Sequence, residues 1–170
     1  MKTIIEIILL CFTLTVSAQY GPTHLTPFVG HWEWQNGNQT FKVEIYEENN
    51  YLKGHYQLTE TNNEVETIIY NSNKLINEEL DFYFGEAIFG GSHDGVLFHA
   101  YIEDNVQLGQ GANEYTNTKD GHLAFTIVNN GDNGQPVTAT WRVREGMGLK
   151  STANPPEFSI PTDITLTKVD

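Results

Sequence analysis

Only one cysteine, Cys11, occurs in the 170-residue chain, and it lies in an apolar N-terminal run. A lone thiol excludes a disulfide framework, so stability must come from a core. Basic residues are scarce: nine lysines and arginines stand against 22 acidic residues, a formal net charge of −13. Nucleic acid and anionic lipid both need a basic face, so neither fits as a partner. After the N-terminal run, no apolar stretch approaches the ~20 residues of a spanning helix. No stretch holds apolar residues at helical spacing over successive turns either. Serine nucleophile elbows, phosphate-cradling loops and Cys–His pairs are absent. The histidines, His24, His31, His55, His93, His99 and His122, show neither the His-x-His nor the one-turn helical spacing of common zinc sites. Spacing thus marks no catalytic residue, cofactor or metal ligand set, and the sequence reads as non-enzymatic.

What is present begins with "MKTIIEIILLCFTLTVSAQY": Lys2, an apolar run from Ile7 to Val16, then Val16-Ser17-Ala18. This order is that of a signal peptide spanning 1–18 and cleaved after Ala18. Leu10 before Cys11 does not suit lipoprotein processing, so the thiol leaves with the leader. The reading is a secreted or periplasmic protein with no integral membrane segment after cleavage. About 150 residues then remain, enough for one domain. We divide them into an extended segment, 19–27, and a single domain, 28–170, expected to be a monomer. With 39% apolar and 12% aromatic residues, the chain can build a core.

Period-two alternation dominates that domain. In "WEWQNGNQTFKVEIY", Asn36-Gly37 is a strong two-residue hairpin signal. Placing it in the loop pairs Gln35 with Asn38 and sets Trp32 opposite Phe41. Trp32, Trp34, Phe41, Val43 and Ile45 then share one face, and Glu33, Lys42 and Glu44 the other. Further strands put Leu52, Tyr56 and Leu58 together, then Val65, Thr67 and Ile69. "DFYFGEAIFGG" reads as one strand bent at Gly85. Val96, Phe98, Ala100 and Ile102 point inward, as do Leu123, Phe125 and Ile127, then Val137, Ala139, Trp141 and Val143. "VQLGQG" is a weak strand, "TANPPEFSIP" is extended, and "TDITLTKVD" is the last strand. The fold class is all-β, a single antiparallel barrel of eight to ten strands, with a β-sandwich as the alternative.

Three functions compete. An interior lined by Trp34, Tyr56 and Phe98 would bind a small apolar ligand, although side chains alone fill the interior of a small barrel. Outward Tyr51, Tyr70 and Tyr101 would bind a glycan or a protein, with His55 and His99 on the same outer faces. Paired carboxylates would make a hydrolase, the weakest of the three, because the number of acidic residues alone brings some together by chance. "NNGDNGQ" offers oxygen ligands without the spacing of a calcium loop. Asn38-Gln39-Thr40 is a formal glycosylation sequon.

Gly30-His31-Trp32 resembles the Gly-x-Trp that opens the first strand of lipocalin-like barrels, and "ITLTKV" resembles their closing strand. The resemblance implies a lipocalin-like barrel in which Gly30 and Trp32 plug one end rather than touch ligand. The mid-chain Thr-Asp-Tyr, the long lid loop and the C-terminal helix of that family are missing. A second likeness covers most of the domain. "LTPFVGHWEWQNGNQTFKV", "GHYQL", "VETIIYNSNK", "EAIFGGS", "TATWRV" and "PEFSIPTDITLTK" resemble a family of short, uncharacterised exported proteins of Gram-negative bacteria. It implies one exported β domain and no particular activity.

Overall fold

The computed structural model describes residues 24–77, 82–83, 85–107, 118–146 and 157–169. The expected leader and most of "VQLGQG" lie outside them, as do Pro155 and Pro156 of "TANPPEFSIP". Three hairpins begin the fold: β1 (Gly30–Asn36), β2 (Gln39–Glu48), β3 (Tyr51–Asn62) and β4 (Val65–Asn71). Two short strands, β5 (Leu75–Asn77) and β6 (Phe82–Tyr83), pair with each other. Then come β7 (Ile88–Ser92), β8 (Leu97–Asp104), β9 (Lys119–Asn130), β10 (Val137–Glu145) and β11 (Asp163–Lys168).

Pairing runs β2-β1-β11-β10-β9-β8-β7-β3, and β3 returns to β2, so eight antiparallel strands close a barrel. β4 is an extra strand on β3. The far edge of β3 is shared: Leu52, Lys53 and Gly54 pair with β7, while Gln57–Asn62 pair with β4. The ring therefore closes between β3 and β7 through only three residue pairs.

Local chemistry explains the turns. The first hairpin loop is Gly37-Asn38, not Asn36-Gly37, and Asn36 pairs with Gln39. Gly37 has φ +62 and Asn38 is not left-handed, which is the Gly-first pattern of a type II′ turn. The register therefore differs by two from the expected one, and Trp32 faces Val43 while Trp34 faces Phe41. An even shift keeps every side chain on its face, so the expected grouping stands. The next two turns, Asn49-Asn50 and Asn63-Glu64, hold four consecutive-pair residues at φ between 51 and 66, the type I′ geometry.

Rings fill the barrel. Phe98 meets Phe125 at 6.4 Å, Phe125 meets Trp141 at 6.3 Å, Trp141 meets Phe41 at 5.6 Å, and Phe41 meets Tyr56 at 6.0 Å. This chain of contacts crosses the interior from β8 to β3. Phe28 enters from outside the strands. The expected extended segment 19–27 instead turns, in its described part, through a 3-10 turn at Thr26–Phe28 with Pro27 in its first positions. That turn drops Leu25 and Phe28 into the core where β1 begins.

Other expectations need correcting. Val65 and Ile69 are exposed, because β4 lies outside the ring and among the described residues has no second layer over it. Val96 is half exposed, sitting in the turn before β8. "DFYFGEAIFGG" is two strands, β6 and β7, with Gly85 between them rather than bending one.

Candidate functional site

Gly30 and Trp32 stand at the start of β1. Gly30 has φ +129, a backbone that glycine adopts most readily. Trp32 is fully buried, and its ring lies edge-on to Phe125 at 4.9 Å. Its indole N–H donates to the Phe28 carbonyl at 2.8 Å. The Trp141 indole does the same with the Pro161 carbonyl at 2.8 Å. Each indole thus fixes a segment leading into a strand while satisfying its own buried donor.

Trp34, Tyr56 and Phe98 are not brought together. Tyr56 and Phe98 are buried at opposite ends of the ring chain, and Trp34 packs half-buried at the core's edge. The Tyr56 hydroxyl donates to the Glu103 carbonyl at 2.9 Å and accepts from the Asn105 N–H at 3.0 Å. Asn105 Nδ2 donates to the Ser72 carbonyl, and Ser72 Oγ accepts from the Tyr56 N–H. Lys74 Nζ donates to the carbonyls of Asn105 and Val106 at 2.6 and 2.8 Å. This polar clamp ties β3 and the segment after β4 to the end of β8. Burial raises the Tyr56 phenol far above its ordinary range, so it stays a neutral donor. Tyr70, expected on the outer face, instead packs edge-on against Tyr56 at 6.2 Å.

Register brings one carboxylate pair together, Glu103 on β8 opposite Asp120 on β9. Burial first, and the Asp120 charge as well, hold Glu103 above its ordinary value of 4.5, while Thr118 opposes them by hydrogen bonding. The Tyr101 hydroxyl donates to Asp120. A raised folded pKa means that ionised Glu103 costs stability above that pKa, and that the cost vanishes below the unfolded value. Glu103→Gln should therefore raise Tm at pH 7 and leave it unchanged at pH 3, as read by thermal circular dichroism. Neither carboxylate lines the clefts that follow.

Two of the surface clefts gather the candidate binding groups. The first, of about 630 Å³, lies over β3, β7 and β8 and is lined chiefly by Tyr51, Phe89, Gly91, His93, Asp94 and His99. Tyr51 and Phe89 are 50% and 39% exposed, and their rings stand 4.9 Å apart at 32°. Gly91, opposite His99, has open space where a side chain would stand. Tyr101, 42% exposed, extends the aromatic strip beside Phe89. Asp94 shapes the rim: its carboxylate accepts from the Val96 and Leu97 N–H groups at 2.9 Å, which holds it below the usual carboxylate range. Sequence reading found Tyr51 and Tyr101 but missed Phe89. Alternation along "EAIFGGS" places Phe89 outward, once the strand is read as starting at Ile88.

The second cleft, of about 390 Å³, lies over the outer faces of β1, β2 and β3 and is lined by polar side chains that include His31, Lys42, Glu44, His55 and Gln57. Spacing could not reveal it, because its residues meet across strands. Among the described residues no three histidine, cysteine or carboxylate groups converge on one point.

No curated protein and no solved structure matches the chain. Residues 1–169 do match a set of related sequences, so that the hairpins, the aromatic core and both clefts fall within the matched span. The chain belongs to a family of unknown function (DUF6705).

Proposed function

We propose that this protein is an exported, non-catalytic binding module that takes a glycan on its outer wall. The observation that carries this reading is the Tyr51–Phe89 pair, two exposed rings held side by side over the open floor at Gly91. Aromatic faces carry a negative quadrupole and stack against the weakly positive C–H face of a sugar ring. Asn50, His93 and His99 at the margins supply hydrogen-bonding groups for hydroxyls. An exposed apolar patch with a polar rim marks an interaction site on a monomer.

A small apolar ligand in the barrel is the second reading. The ring chain from Phe98 to Tyr56 occupies the space such a ligand needs. Titrating a panel of neutral oligosaccharides, with binding followed by NMR and calorimetry, tests the proposal. Tyr51→Ala and Phe89→Ala should each weaken binding by at least tenfold, ~1.4 kcal/mol, with Tm almost unchanged, because both rings are exposed. Unaltered binding in both variants, or uptake of a fatty acid that blocks on mutation of Tyr56 alone, would overturn it.

A further inference from the structure

The turn after β7 adds a fixed charge to the aromatic cleft. Asp94 lines that cleft together with Tyr51, Phe89, Gly91 and His99. Its Oδ1 accepts from the Val96 and Leu97 N–H groups at 2.9 Å and from the Ser92 hydroxyl at 3.3 Å. Ser92 Oγ is itself held, because it accepts from the Gly95 N–H at 3.1 Å. Three donors on one oxygen keep the carboxylate ionised and oriented. Asp94 Oδ2 accepts from no other residue among the described ones. The described lining residues include no lysine or arginine. Lys53 stands opposite Phe89, but Glu48 and Glu86 each pair with it at 2.6 Å, and two carboxylates outweigh one ammonium. Beside Phe89, Tyr101 donates to Asp120, which brings a further carboxylate to the same wall.

We propose that the glycan taken by this wall is an oligosaccharide with free amino groups, one ammonium of which pairs with Asp94 Oδ2. This inference rests on the glycan reading and adds the length and charge of the ligand. Length follows from the strand. Phe89 and Gly91 face outward on β7, and a rise of about 3.3 Å per residue puts roughly 10 Å between Phe89 and the strand's end at Ser92. That exceeds one sugar ring, so the unit stacked on Tyr51 and Phe89 is not the unit that reaches Asp94. A Cβ at Gly91 would meet nothing within 4 Å, so the path between the two is open. Charge follows from the acceptor. An ionised carboxylate only accepts, and an ammonium gives it a charge-assisted bond about twice as strong as a neutral one. The exposed ring faces attract a cation as well. A uronic acid would instead meet carboxylates of its own sign.

Calorimetric titration at neutral pH tests this with three probes: a glucosamine trisaccharide, its N-acetylated counterpart and a galacturonic acid trisaccharide. The amine form should bind about tenfold tighter than the N-acetylated form, and the uronic form should bind weakest. Added salt should shrink the amine preference, because the pair is exposed to solvent. Asp94→Asn keeps an oxygen for the Val96 and Leu97 N–H groups and removes only the charge. It should erase the preference and leave N-acetylated binding unchanged, with thermal circular dichroism reporting its fold. Tyr51→Ala should weaken both forms alike. Equal binding of the amine and N-acetylated forms overturns the inference, as does a preference that survives Asp94→Asn or ignores salt, and either result leaves the glycan reading standing. If no sugar binds at all, the glycan reading falls with it.

Discussion

Trp141→Ala should lower the unfolding free energy by about 3–5 kcal/mol, the range for truncating a buried aromatic residue. Trp141 is fully buried between Phe41 and Phe125, so truncation breaks the ring chain at its middle and leaves a cavity that strands fixed in register cannot collapse to fill. It also strands the Pro161 carbonyl, which accepts from the indole at 2.8 Å. A domain of this size has roughly 5–15 kcal/mol in all, so the variant would sit near its folding limit at 37 °C. Urea unfolding followed by fluorescence gives the value. Trp34→Ala is the internal comparison, and its smaller cost follows from its half-buried place at the edge of the core.

A single methyl group added at Gly90 should cost about 3 kcal/mol, the upper end for overpacking. A Cβ there would lie 2.1 Å from the His99 carbonyl oxygen and 2.6 Å from the Ala100 Cα. Both obstacles are backbone atoms of β8, so relief requires parting the β7–β8 ladder. The entropic gain from replacing glycine, about 0.4–1 kcal/mol, cannot offset that. Gly85→Ala should be neutral or slightly stabilising, since nothing lies within contact of a Cβ there. A two-variant thermal melt separates the cases, and equal Tm values would show that β7 can shift outward.

Much of the barrel was legible because alternation is a local signal. Phe98, Ala100 and Ile102 face inward, as do Phe125 and Trp141, because period two puts them there and burial enforces it. The same logic failed for Val65 and Ile69. Whether a strand's apolar face meets a second layer depends on partners far along the chain, and among the described residues β4 pairs only with β3. The first hairpin slipped by two because Gly37, with its positive φ, takes the leading loop position rather than the second. For the sites, Tyr51 and Tyr101 could be read as outward, but their union with Phe89 needed the β3–β7 pairing. The polar cleft over β1, β2 and β3 was hidden for a related reason. It combines residues from three strands, and only the register of two hairpins places them side by side.

The short β3–β7 pairing has an energetic consequence. Two of its residues, Gly54 and Gly90, lack side chains to lock it, and an ion pair from Lys53 to Glu86 at 2.6 Å bridges it from outside. Opening there breaks fewer ladder bonds than parting most other neighbours in the ring. Tyr51 and Phe89 stand on opposite sides of that weak line, so a molecule held by both rings would also latch it. Occupancy and closure would then be one linked equilibrium, with each favouring the other.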